Sequence, residues 1–167
     1  MDRLLDESER ALGAELWLLA VTGALLVPDI AAALRHPSGA TRGDRYRDWW
    51  NDVGLGVAYE GYLSADDAYK YRCSLTHQGT GHHPSAASGR VIFTPPTNVT
   101  MHKIRMGGVR NAVVLDIVAF VGDLVNIGRG WLNANRDDPV VSANLARSVS
   151  LHPQGIAPFI VGSPVIG

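Results

Sequence analysis

In the stretch Tyr71-Arg72-Cys73-Ser74-Leu75-Thr76-His77-Gln78-Gly79, an arginine and a histidine are separated by four residues. Five helical steps turn by about 140° and rise about 7.5 Å, so the two side chains do not share one face of a straight helix. They converge only if the long Arg72 side chain reaches toward a histidine at a helix end, or if a second copy brings the two pairs together across a two-fold axis. The chemistry such a pair suits is phosphodiester cleavage. A histidine side chain can move protons to and from oxygen. Arg72 stays charged and holds phosphate oxygens with a planar fork of donors. On RNA the 2′-hydroxyl is a ready nucleophile, and no metal is needed. The competing reading is structural, with Arg72 in a surface ion pair and His77 a cation favoured at a helix C-terminus.

Other groupings carry weaker signals. Cys73 and His77 are four apart on one helix face, with His82 and His83 in the loop beyond. The set could ligate a metal, but its spacing matches no familiar zinc module, so no metal site is assigned. Cys73 as a nucleophile lacks any nearby oxyanion-stabilising group, and a lone cysteine is more often a small buried side chain. Asp116 and Asp123 are seven apart and could serve acid–base work, orient His77 or pair with Arg72, or simply form a polar stripe. The aromatic set Tyr46, Trp49, Trp50, Tyr59, Tyr62, Tyr69 and Tyr71 could stack bases, though packing explains most of it.

The elements that must position these residues are mainly helical. Apolar spacing predicts a long helix over residues 3–27, with Pro28 opening a short one from Asp29 to Arg35. Asp44 reads as the N-cap of a helix carrying Tyr46, Trp49, Trp50 and Val53. Trp49 and Trp50 cannot face the same way, so one belongs at a junction or interface. Ser64, with Asp67 three residues on, is the clearest helix start, and Gly79 is its natural stop. Residues 79–89 read as a mobile loop. Arg90–Thr94 and Val99–Arg105 read as strands of a β-hairpin through Pro95–Asn98, ended by Gly107-Gly108. A strong helix follows from about Val109 to Asn133, then a short one opened by Asp138-Pro139. Residues 152–167 are apolar and broken by prolines and glycines, which predicts an extended segment packed on the body. The expected architecture is therefore one domain over 1–167: a mainly α bundle with an inserted β-hairpin and an extended, packed C-terminal segment.

Composition narrows the function classes. The 167 residues are 46% hydrophobic and 19% charged, with net charge -1. That is too apolar for a disordered chain and too neutral for a bulk polyanion binder. The total hides an asymmetry. Residues 1–34 carry -4, residues 35–110 carry +4 and residues 111–167 carry -1, and five of the six histidines lie in the basic block. A single cysteine allows no internal disulfide and suits a cytoplasmic protein. The acidic N-terminus is unlike a secretory signal. The longest apolar run, Leu16 to Val27, is too short to span a bilayer and predicts a buried core helix.

The segment from Leu63 to Gly79, "LSADDAYKYRCSLTHQG", resembles a stretch of uncharacterised bacterial and phage proteins described as HEPN-like. Pro28-Asp29-Ile30 and Tyr46-Arg47-Asp48-Trp49-Trp50 resemble the same group. The HEPN superfamily consists of small all-α domains, many of them metal-independent ribonucleases or toxin components, with an Arg and a His four to six residues apart. The resemblance implies a homodimeric endoribonuclease without cofactor, with Arg72 on the phosphate and His77 as general acid or base. Active members commonly carry a polar residue, often Asn, after the arginine. Here that residue is Cys73, which leaves a non-catalytic HEPN-like binding or structural protein as the alternative.

Overall fold

A computed structural model describes residues 1–107 and 111–167. The fold is dominated by helices, with small sheets attached. The first long helix of the sequence reading is two helices, α1 (Asp2–Gly13) and α2 (Trp17–Leu34). They part at Glu15, whose backbone sits in the left-handed region at φ 58°. Pro28 does not open a new helix but lies inside α2. Proline sacrifices one intrahelical hydrogen bond there, and burial of the surrounding residues offsets the loss. α2 has 18 residues with mean hydropathy 1.9, long and apolar enough by that measure to cross a membrane. More than half of it is buried inside the protein, against α1, α6 (Ile117–Asn135), α3 (Gly43–Asp52) and α5 (Ala65–Gln78). It is the central core helix.

α3 starts two residues earlier than expected. Arg42 occupies the cap position and Asp44 sits in the first turn. Trp49 and Trp50 are both fully buried because α3 is wedged between two groups. Trp50 meets Tyr46 and Tyr59, while Trp49 meets Trp131 of α6 edge-on. The short α4 (Leu55–Ala58) supplies Leu55 to the same core. Most of the aromatic set is therefore packing, not a base-stacking surface.

The expected β-hairpin is corrected. β1 (Arg90–Thr94) does not pair with β2 (Ile104–Met106). It runs parallel to β3 (Ala112–Asp116), and β2 is antiparallel to β3, giving the order β1-β3-β2. The continuous apolar run Ala112-Val113-Val114-Leu115, taken for the start of a helix, is a central strand with three buried side chains. A strand buried on both faces shows no alternation, so periodicity cannot separate it from a buried helix. The expected helix start at Val109 and the hairpin end at Gly108 lie outside the described residues. α6 begins at Ile117, where the Asp116 side chain accepts the Ala119 N–H at 2.8 Å. Asp138 caps α7 (Pro139–Leu145) as anticipated, with Pro139 at its first position.

The C-terminal segment is also corrected. It borders the body at Val149–Leu151, beside Met1–Arg3 and Arg136, but buries nothing there. It forms two small antiparallel ladders of its own, β4 (Leu151–His152) with β7 (Val165–Ile166) and β5 (Gly155–Ile156) with β6 (Ile160–Val161). No side chain after Asn144 is buried.

Candidate functional site

α5 carries the Arg72–His77 segment, and both of its ends are set by local chemistry. Ser64 Oγ accepts the Asp67 N–H at 3.1 Å, while Gly79 closes the other end in the left-handed conformation at φ 65°. Asp67 does not complete a capping box. Its carboxylate turns outward to accept the Ala87 N–H at 2.9 Å and lies 3.4 Å from Ser88 Oγ. Lys70 reaches the Ser85 carbonyl at 2.7 Å, and the Val91 N–H donates to the Gly81 carbonyl at 3.1 Å. The loop read as mobile is thus tied to α5 and β1.

Arg72 leans away from that loop, toward α2. Its Nε donates to Asp29 Oδ2, its Nη1 lies 3.6 Å from Cys73 Sγ, and its guanidinium sits 5.6 Å from the Tyr69 ring centre. The pair is secluded, with the Arg72 side chain 16% exposed and Asp29 6%. Burial pushes the Asp29 carboxyl above its usual range, and Arg72 and His77 oppose that shift. Burial also works against the Arg72 charge, but Asp29 outweighs it and holds the guanidinium above its ordinary value. Among the described residues Arg72 takes Asp29 and Cys73 as its side-chain partners, and no hydrogen bond joins it to His77.

Two buried polar atoms beside this ion pair have no hydrogen-bond partner among the described residues: Asp29 Oδ1 and the Tyr46 hydroxyl. Burial, with the Asp29 charge next, pushes the Tyr46 phenol well up. Trp49 Nε1, Trp50 Nε1, the Tyr71 hydroxyl and Ser74 Oγ are likewise buried without a partner among the described residues, so the two atoms beside the ion pair do not by themselves mark a ligand site. The chain matches no protein-family model, no curated protein and no solved structure. The chemistry of this centre therefore rests on its geometry.

His77 is exposed at the end of α5, one helical turn beyond Cys73. His82 and His83 do not join it. His82 forms a backbone bridge with Arg90, and His83 Nδ1 faces Ser85. Among the described residues no group of three His, Cys, Asp or Glu side chains is placed to hold a metal ion. Asp116 and Asp123 do not approach Arg72 either. Asp116 caps α6, and Asp123 accepts the Tyr59 hydroxyl at 2.8 Å.

The residue that sequence reasoning passed over is Asp29. The sequence makes it the first residue of a short helix after Pro28, whereas in the structure it is the buried partner of Arg72. A lone carboxylate between Pro28 and Ile30 in an otherwise apolar helix is itself the signal, because a buried charge demands a partner. The basic block is also less free than its total suggests. Arg35 pairs with Asp52, Arg42 with Asp44 and Arg47 with Asp66, besides Arg72 with Asp29.

Proposed function

We propose that this chain is a HEPN-like, metal-independent endoribonuclease of the cytoplasm, acting as a homodimer with its site at the Arg72–His77 end of α5. The observation that carries the reading is the tether on Arg72. Asp29 engages Nε and so fixes the guanidinium, while His77 stands exposed five residues on, at the end of the same helix. A fixed guanidinium loses less freedom on binding phosphate than a loose one. In the reaction, the 2′-oxygen of RNA attacks the adjacent phosphorus as its proton passes to a neutral His77. The P–O5′ bond breaks, and the leaving oxygen takes a proton from the protonated His77 of a second copy. The products are a 2′,3′-cyclic phosphate and a free 5′-hydroxyl. Arg72 stabilises the charge that builds on the phosphoryl oxygens.

The same ion pair favours a second reading. An arginine whose charge is already matched by a buried carboxylate suits a non-catalytic binding or structural protein on this scaffold. Incubation with total RNA in EDTA separates the two, with wild type compared with His77→Ala. Cleavage by wild type alone, leaving cyclic phosphate ends, supports the nuclease. Equal cleavage, or none, rejects it in favour of the second reading.

A further inference from the structure

The C-terminal ribbon is ordered without a core of its own. Its strands pair only with each other, and no side chain beyond Asn144 is buried. Yet Val149, Leu151, Phe159, Ile160, Val161 and Ile166 are all exposed, Phe159 by 84%. A two-stranded ribbon is marginal in water unless its apolar side chains are covered. Elsewhere on the same chain, an apolar cavity of about 230 Å³ stands open, lined by Trp17, Leu18, Val21, Leu25, Tyr71 and Leu75 among others. Leu18 on its wall is exposed, as are its chain neighbours Leu16 and Leu19. A cavity of about 150 Å³ already accommodates benzene, so a phenyl ring fits.

An exposed aromatic arm and an apolar receptacle of matching size lie on the same chain, which argues for a second copy as the occupant, and the exposed area is enough for one. The chain exposes 9125 Å². A compact monomer of this mass exposes about 8,000 Å². The excess, about 1,100 Å², is close to what one partner contributes to a standard protein interface. Residues 148–167 contain no Lys, Arg, Asp or Glu. The segment therefore lacks the cationic residues that hold amphipathic elements on a membrane surface.

We propose that the ribbon is an exchange arm: Phe159 of each copy enters the Trp17–Leu18 cavity of the other. Reciprocal exchange closes the assembly at two copies with two identical contacts. The arm specifies how the two copies that the nuclease reading requires are joined: a dimer that loss of Phe159 or of Leu18 does not weaken overturns the arm alone, and a dimer that leaves RNA uncut overturns the nuclease alone. The test is sedimentation velocity on wild type, Phe159→Asp, Leu18→Asp and an equimolar mixture of the two variants. Truncating an anchor of hot-spot weight weakens binding about 30-fold. Each variant alone loses both contacts and dissociates about 1,000-fold more readily. The mixture keeps one intact arm and one intact cavity, so it recovers about 30-fold and forms a heterodimer. Wild type that stays monomeric overturns the proposal, as does a dimer that either variant leaves unchanged. Both side chains are exposed, so both variants keep the wild-type far-UV circular dichroism. A loss of helix in either shows that its side chain serves the monomer, and also overturns the proposal. So does a monomeric wild type whose Phe159 is needed for binding to phosphatidylcholine–phosphatidylserine vesicles. RNA cleavage in EDTA is read separately, so failure of the arm and failure of the nuclease are distinguishable.

Discussion

Removing Arg72 exposes what its partner costs the fold. In Arg72→Met the Asp29 carboxylate stays buried with no counter-charge, and breaking a buried pair from one side costs about 3–5 kcal/mol. The Arg72 side chain keeps some exposure, 16%, so the lower end applies, about 3 kcal/mol at pH 7. For a chain of this size that lowers Tm by about 6–12 °C. Asp29→Asn costs less, about 1–2 kcal/mol, because the stranded guanidinium can turn to water and still lie over Tyr69. The double variant removes both charges and returns about 1–3 kcal/mol relative to the sum of the single changes. The pH dependence has a definite sign. Burial already raises the Asp29 carboxyl above its unfolded value of 3.8, and loss of Arg72 raises it further. A raised group contributes stability at low pH and loses it as pH climbs through the folded pKa. The deficit of Arg72→Met therefore shrinks as the pH is lowered from 7 toward 4. Urea unfolding of the four proteins at both ends of that range measures all of this. If Arg72→Met lies within 0.5 kcal/mol of wild type, or if the two changes simply add, the reasoning is wrong. The same cycle separates the two functional readings. A phosphate-binding Arg72 leaves the double variant folded but inert toward RNA, whereas a purely structural Arg72 leaves the RNA response of the double variant intact.

Two further expectations concern the scaffold. A Cβ added to Gly128 of α6 meets Val27 Cγ1 at 2.6 Å and Leu5 Cδ2 at 3.1 Å, where α6 crosses α1 and α2. Gly128→Ala gains up to about 1 kcal/mol in helix propensity but overpacks this crossing by about 1–3 kcal/mol. Net destabilisation in thermal melts is expected, and a rise in Tm would contradict the close packing. His102 Nδ1 accepts the Asp116 N–H at 3.2 Å, and burial, then Lys103, pushes the imidazole below 6.5. A lowered group contributes stability above its unfolded pKa and loses it as pH falls through the folded value. Wild type should therefore lose about one hydrogen bond's worth of stability, about 1 kcal/mol, on acidification below pH 6.5. His102→Gln should lack that step, and an identical acid profile in the variant refutes the assignment.

Local rules read α5 well. Ser64, Gly79 and Asp138-Pro139 act through contacts two to four residues away, and the structure places each cap where its chemistry puts it. Long-range partners were not legible in the same way. Nothing near Arg72 in sequence points to Asp29, 43 residues earlier. Nor does the apolar run at Val113 announce that its neighbour is β1 in parallel, since a doubly buried strand carries no period of two. The helix break at Glu15 was hidden because apolar spacing continues straight through it. The C-terminal segment misled for another reason. Apolar composition says that a surface will be covered, but not by which chain.

α5 is where these strands of argument meet. One side of the helix presents Arg72 to Asp29, with Cys73 beside the guanidinium, and another presents Tyr71 and Leu75 to the apolar cavity. Successive residues 71 and 72 point about 100° apart, so one helix can join a charged centre and an apolar receptacle within a single turn. An arm seated in that cavity would meet Tyr71 and Leu75 and leave Arg72 on another side of the helix. Asp29 is fixed in turn by α2, which also lends Trp17, Leu18, Val21 and Leu25 to the cavity wall. Assembly and the charged centre thus share two helices and no side chain. Phe159→Asp should accordingly separate the copies while leaving the Arg72–Asp29 coupling energy at its wild-type value, because sites with no shared partner contribute additively.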